Sequence, residues 1–192
     1  MIASLRNRAT IISERLRGMD VTSIMQCKEA GLDPKVSNWY SPSGDKYLES
    51  TLRQIGVTEN DTIIDVGCGK GSAMLTMLKF PFARVDGLEL SPKLVSIAWR
   101  NLRHSKRSVI FNADARGFSS YLAYKMFYFY NPFPANVMCD VMKQIQYLAC
   151  DHVTIIYNNP TCHETVLATG MFHKVAEYPN RWGTGINVYY NE

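Results

Sequence analysis

The run IIDVGCGKGS sets Asp65 at the end of an apolar segment, with Gly67, Gly69 and Gly71 at alternate positions behind it. Three alternate glycines let a backbone turn sharply and approach a ligand with no Cβ in the way. A helix that starts behind them offers free N–H groups. The same glycines would also serve a plain turn that only needs positive φ. Two further carboxylates close later apolar runs. Glu89 ends RVDGLEL, 18 positions after Gly71, near the ~20-residue offset at which an acid meets a ribose diol. A carboxylate only accepts hydrogen bonds, so it can take both hydroxyls. Its other reading is a cap for the helix at SPKL, a task that Ser91 does better. Asp114 ends SVIFNAD, and its other reading is a surface loop acid. A fourth run, FYFYNPFP, brings Asn131, Pro132 and Phe133 to the same kind of place. In NNPTCHE, His163 suits general-base work near neutral pH, or else lies in a solvated first turn of helix.

Three nucleotide-binding patterns compete for the glycine run. A phosphate-binding P-loop needs Gly at 64 and Ser or Thr after the Gly-Lys pair, but 64 is Ile and 71 is Gly. The dinucleotide fingerprint needs Gly at 72, which is Ser72. The third pattern, D-x-G-x-G-x-G, resembles motif I of the class I S-adenosylmethionine (SAM)-dependent methyltransferases. SAM carries an amino group and a sulfonium in place of a pyrophosphate, so a carboxylate here is chemically sensible.

The resemblance extends over roughly residues 40–160. A Tyr-x-Pro-Ser segment at Tyr40, the D-x-G-C-G-K-G loop, G-x-E-L-S and a later N-P-F are similar to a group of small bacterial methyltransferases. It implies SAM as cofactor, with Asp65, Gly67, Cys68, Gly69 and Gly71 at the methionyl end. It implies Glu89 and Leu90 at the ribose, and Ala113 and Asp114 at the adenine. Tyr40 would fold over the bound cofactor. The N-P-F segment is similar to the Asn/Asp-Pro-Pro-Tyr/Phe motif of methyltransferases acting on planar amino groups. Asn131 and Phe133 are therefore the acceptor-side candidates, although one Pro of that motif is missing and Pro134 follows the ring instead. The rival readings are an NAD(P)-dependent Rossmann oxidoreductase and a SAM-binding module without catalysis.

These residues must be held by regular elements. Apolar runs at 62–67, 84–90, 108–114, 125–131 and 152–158 alternate with helical stretches at 71–80, 91–105, 117–123 and 134–151. Continuous apolar strands separated by helices predict a parallel sheet covered on both faces. After a helix over 161–170, strands at 172–179 and 185–192 are joined by NRWGTG, too short for a crossover, so they predict an antiparallel hairpin. That hairpin would bring Arg181 and Trp182 to the same edge, where an Arg beside aromatics could hold an acidic acceptor. The expected architecture is α/β: a doubly wound, Rossmann-like, seven-stranded sheet, mostly parallel, with N-terminal helices. Residues 1–60 divide from it as a helical extension or lid, and 61–192 form the methyltransferase domain. Residues 1–36 are expected to be helical and amphipathic, and Asp45 is expected to cap a helix ending at Gly56.

Composition bounds the rest. The chain has 192 residues, a net charge of +4, and 46% hydrophobic against 20% charged residues. That is one folded domain without a polyelectrolyte tail. The mild charge permits an acidic partner without demanding nucleic acid. Basic residues between Lys93 and Arg107 read mainly as the solvated face of a helix. Five scattered cysteines form no C-x-x-C pair, and Cys162, His163 and His173 match no zinc spacing, so no metal is expected. No run reaches the ~18 apolar residues of a membrane span, and the expected setting is a reduced cytoplasm. The acceptor (protein, small molecule or nucleic acid) and the oligomeric state are left open.

Overall fold

The computed structural model describes residues 2–148 and 152–191, with side chains from residue 9 onward. The side chains of Ile2, Leu5, Arg6 and Arg8, whose spacing underlies the amphipathic reading of the first helix, lie outside that set, as do residues 149–151 and Glu192. Seven strands form one sheet in the order β3-β2-β1-β4-β5-β7-β6. They are β1 (Thr62–Val66), β2 (Arg84–Glu89), β3 (Ile110–Asn112), β4 (Met126–Tyr130), β5 (Thr154–Asn158), β6 (Phe172–Tyr178) and β7 (Ile186–Asn191). β1 to β5 pair in parallel, while β7 runs antiparallel to both β5 and β6. The expected doubly wound sheet with a terminal hairpin is the observed one. Chain order reverses between β1 and β4, and the crevice outside the carboxyl ends of such strands is where open α/β sheets bind ligands.

Helices α1 (Ile2–Leu16), α2 (Cys27–Ala30) and α3 (Lys46–Ile55) precede the sheet. Helices α4 (Ser72–Met77), α5 (Pro92–Leu102), α6 (Ala135–Leu148) and α7 (His163–Leu167) lie among the strands. Local chemistry accounts for their ends. Asp45 caps α3 by accepting from the N–H groups of Tyr47 and Leu48, and Gly56 closes it at φ +76°. Ser91 caps α5 by accepting from Leu94 N–H. α5 buries Leu94, Val95, Ala98 and Leu102; each large aliphatic side chain withdrawn from water is worth about 1.5–3 kcal/mol. Besides a small cluster of Ala30, Tyr40 and Leu94, two large apolar cores result. One is centred on Ile64, Phe127, Phe129, Met138 and Ile155, the other on Leu48, Ile63, Met74, Val85 and Tyr128.

Two expected helices differ. The N-terminal helix stops at Leu16, because Gly18 turns to φ +69° and Val21 and Thr22 bond instead to the Glu14 carboxylate. Beyond it the chain is mostly irregular as far as Asp45, apart from α2 and a bridge between Met25 and Tyr40. In place of a helix over 117–123 the chain forms two 3₁₀ turns, Ala115–Gly117 and Tyr121–Ala123. Phe118 and Tyr121 are drawn into the core there, and the Tyr121 hydroxyl donates to Ala115 O at 2.8 Å. The basic side chains of α5 and beyond serve the backbone. Lys93 donates to Glu29 O, Arg103 to Arg17 O, and Arg107 to the carbonyls of Leu78, Phe80 and Phe82. Among the described residues, no helix is long and apolar enough to cross a membrane.

Candidate functional site

The loop after β1 turns through three glycines with positive φ: Gly67 at +83°, Gly69 at +55° and Gly71 at +81°. Each is required for a different reason. A Cβ on Gly69 would stand 2.1 Å from the Tyr40 ring, and one on Gly67 would stand 2.5 Å from Pro132 Cβ. A Cβ on Gly71 would meet Leu102 and Ala98 on α5. Gly67, Cys68 and Gly69 line a cleft at the sheet's carboxyl edge, whereas Gly71 sits behind it and starts α4.

The floor of the cleft is acidic. Asp65 is 2% exposed, and its Oδ2 is buried without a hydrogen-bond partner. Burial and the nearby charge of Glu89 push the Asp65 carboxyl well above the usual carboxylate range. Glu89 is tied from both sides: Gly69 N–H donates to its Oε2 at 2.9 Å and Ser91 N–H to its Oε1 at 2.8 Å. Burial nevertheless raises its pKa. Each carboxylate oxygen has a second lone pair, so both carboxylates can still accept from a ligand. Asp114 lies past β3 on the same cleft, held as a carboxylate below the usual range by the Arg116 guanidinium, which meets both of its oxygens. Leu90 and Ala113 complete that side.

Residues 32–43 form the facing wall, with Val36, Asn38, Trp39 and Tyr40 against the cleft. The wider segment 20–40 is pinned to the fold on both flanks. On the α5 side, Lys70 is fully buried and donates to Asp20 Oδ2 at 2.8 Å, Ser23 O at 2.9 Å and Ser23 Oγ at 2.6 Å. Asn101 accepts from Asp20 N–H and donates to Asp20 O and Lys70 O. Burial alone would raise the Asp20 pKa, but the bonds from Lys70 and Ser23 outweigh it and lower it. The Tyr40 hydroxyl donates to Val21 O at 2.6 Å, and burial raises its pKa well above the ordinary value. On the β4 side, Asn38 Nδ2 donates to Asn131 O and Asn38 N–H donates to Pro132 O, both at 2.8 Å.

Asn131 and Phe133 border the cleft beyond β4. Asn131 adopts φ +40°, and its Oδ1 accepts from Thr161 Oγ1. Tyr130 stands at the mouth, where Trp182 Nε1 donates to its hydroxyl at 2.8 Å. The β6–β7 turn therefore does reach this edge, and Asn180 holds it by donating to Asn158 Oδ1 and Gly185 O. His163 points elsewhere: its Nδ1 lies 2.7 Å from the Tyr189 hydroxyl, and it does not line the cleft. Among the described residues, no group of three His, Cys, Asp or Glu side chains is placed to hold a metal ion. Sequence reasoning missed Asp20, Asn38, Lys70 and Asn101, which shape the wall through contacts far apart in the chain. The one available signal was Lys70 itself, a lone cation inside a glycine turn.

No family model matches the chain, and no curated protein sequence matches it. Solved structures do resemble it. A SAM-dependent methyltransferase from Aquifex aeolicus superposes with a TM-score of 0.60 at 12% identity, over 75% of this chain and 88% of that one. The glycopeptide N-methyltransferase MtfA complexed with SAM gives 0.64 at 9% identity, over 79% and 94%. The N-methyltransferase NodS from Bradyrhizobium japonicum gives 0.58 at 11% identity, over 74% and 93%. At these identities the likeness is one of fold.

Proposed function

We propose that this chain is a methyltransferase that uses SAM. The observation that carries the reading is the acidic floor: Asp65 Oδ2, buried and unpartnered, beside Glu89, with neither carboxylate ion-paired to a described cation, since Arg116 on the same cleft is paired with Asp114. Two carboxylates withdrawn from water and unpaired are costly unless a ligand neutralises them. A ligand bearing an ammonium and a sulfonium does that, and a pyrophosphate would do the opposite. The residues present fit SAM in outline. Asp65 would take its amino group, beside the backbone of Gly67, Cys68 and Gly69, while Gly71 supports the turn from behind. Glu89 and Leu90 would meet the ribose, Ala113 and Asp114 the adenine, and Tyr40 the open side.

When bound, SAM supplies an electrophilic methyl group. The chain's own part is to orient, which can lower a barrier by several kcal/mol, and to exclude water with residues 32–43. Asn131 and Phe133 would face the acceptor. In this division of labour, residues 1–60 supply a wall and the sheet supplies the cofactor site.

Calorimetric titration with SAM, S-adenosylhomocysteine and NADH tests the reading. SAM and S-adenosylhomocysteine are expected to bind and NADH is not. NADH binding without SAM binding would overturn the reading.

A further inference from the structure

Each oxygen that the segment after β4 could offer an incoming amine already accepts one hydrogen bond. Asn131 Oδ1 accepts from Thr161, Asn131 O from Asn38 Nδ2, and Pro132 O from Asn38 N–H. A planar amine would find one lone pair of each oxygen already used and only the second free for its hydrogens. A general base is missing as well. No histidine or lysine lines the cleft among the described residues, and its three carboxylates belong to the ends of β1 and β2 and the turn after β3. A nucleophile that must shed a proton is poorly served here, and one that arrives already deprotonated is not.

The rim has its own chemistry. Trp39 and Trp182 are 51% and 59% exposed. The Trp182 indole is fixed by its bond to Tyr130, which lines the cleft with Trp39. A large exposed ring at an opening, fixed as Trp182 is, offers a stacking surface for a flat ligand. The Arg181 guanidinium lies 5.5 Å from the Trp182 ring centre, and it forms no ion pair with any described carboxylate. It lines the adjoining cavity with Asp45, Lys46 and Ser72, the last of which also lines the cleft, and is not part of the cleft wall. A guanidinium stacked on an aromatic face is suited to a planar anion.

We infer that the methyl acceptor is a planar aromatic acid, stacked at Trp39 and Trp182, drawn in by Arg181, and methylated on its carboxylate oxygen. The inference rests on the SAM reading above. In the transfer, a lone pair of the carboxylate oxygen forms the new bond to the methyl carbon. The carbon–sulfur bond breaks with its electron pair going to sulfur. One negative and one positive charge disappear together, giving a methyl ester and S-adenosylhomocysteine. No proton moves, so the missing base is not needed.

The test uses the full chain saturated with S-adenosylhomocysteine. Salicylate, 1-naphthoate and indole-3-acetate are titrated against their uncharged amides, with tryptophan fluorescence as readout. At least one acid is expected to bind ten or more times tighter than its amide. Arg181→Gln should erase that difference while S-adenosylhomocysteine affinity stays the same, and Trp182→Ala should weaken acid and amide alike. With methyl-labelled SAM, the product should release volatile label in mild alkali, as an ester does. Equal binding of acids and amides, no binding of either, or an alkali-stable product would overturn the acceptor inference and leave the SAM reading standing. Failure of S-adenosylhomocysteine itself to bind would overturn both.

Discussion

Gly69 N–H donates to Glu89 Oε2 at 2.9 Å, so the turn after β1 is fastened to the end of β2 by the carboxylate proposed to meet the ribose. One side chain thus shapes the loop and presents itself to the ligand.

Glu89→Gln separates those tasks only in part. The amide has one acceptor oxygen, so one of the two N–H groups of Gly69 and Ser91 loses its partner. A lost bond to a charged group costs about 1.5–3 kcal/mol. SAM affinity should fall by about 10–100-fold by calorimetry, while the circular dichroism spectrum is unchanged.

Asp65→Asn should stabilise the ligand-free protein and remove SAM binding together. The Asp65 carboxyl has a folded-state pKa raised by burial and by Glu89. A raised carboxylate pKa costs nothing below the unfolded value of about 4. Above it the cost grows, until pH passes the folded value. Urea midpoints of variant and wild type should therefore coincide near pH 4 and diverge in the variant's favour toward neutral pH. A variant less stable than wild type at pH 7 would mean that Asp65 is satisfied by a partner inside the fold.

Gly69→Ala tests the close approach of the loop to Tyr40. The φ of +55° and the 2.1 Å gap to the ring both oppose a methyl group. A strained φ alone costs of order 1–3 kcal/mol, so thermal melting should fall by several degrees. In a Tyr40→Ala background the same glycine substitution should cost less than in the wild type, since the clash goes and the strain stays.

Lys70→Met removes a buried cation from Asp20 and Ser23. Breaking a buried pair costs about 3–5 kcal/mol, less here because the Asp20 side chain is 29% exposed. Hydrogen exchange should speed up at the amides of residues 20–40 and stay the same in β1, β4 and β5.

Much of the sheet was legible because its strands announce themselves. TIIDV, MFYFY and TIIYN are buried runs closed by turn residues, and Asp45 and Ser91 cap their helices through local bonds. The same applies to Gly67 and Gly69, whose spacing reflects the positive φ they adopt. The wall over the cleft was not legible. Its bonds join residues 50 apart, as with Lys70 and Asp20, or 93 apart, as with Asn38 and Asn131. No periodicity records such pairs. The helical reading of residues 1–36 failed at Gly18 for a related reason, since Glu14 gives its carboxylate to Val21 and Thr22 and so favours a turn over another helical round. The 3₁₀ turns at 115–123 likewise depend on where Phe118 and Tyr121 find the core.

The double pinning of residues 20–40 has a kinetic consequence. A ligand of nucleoside size that fills the cleft to Asp65 lies against a segment held by Lys70 and Asn101 on one flank and by Asn38 on the other. Exchange with bulk solution is then a first-order opening followed by capture. Stopped-flow association rates should level off as ligand concentration rises, and the plateau should rise when Asn38 is replaced by Ala.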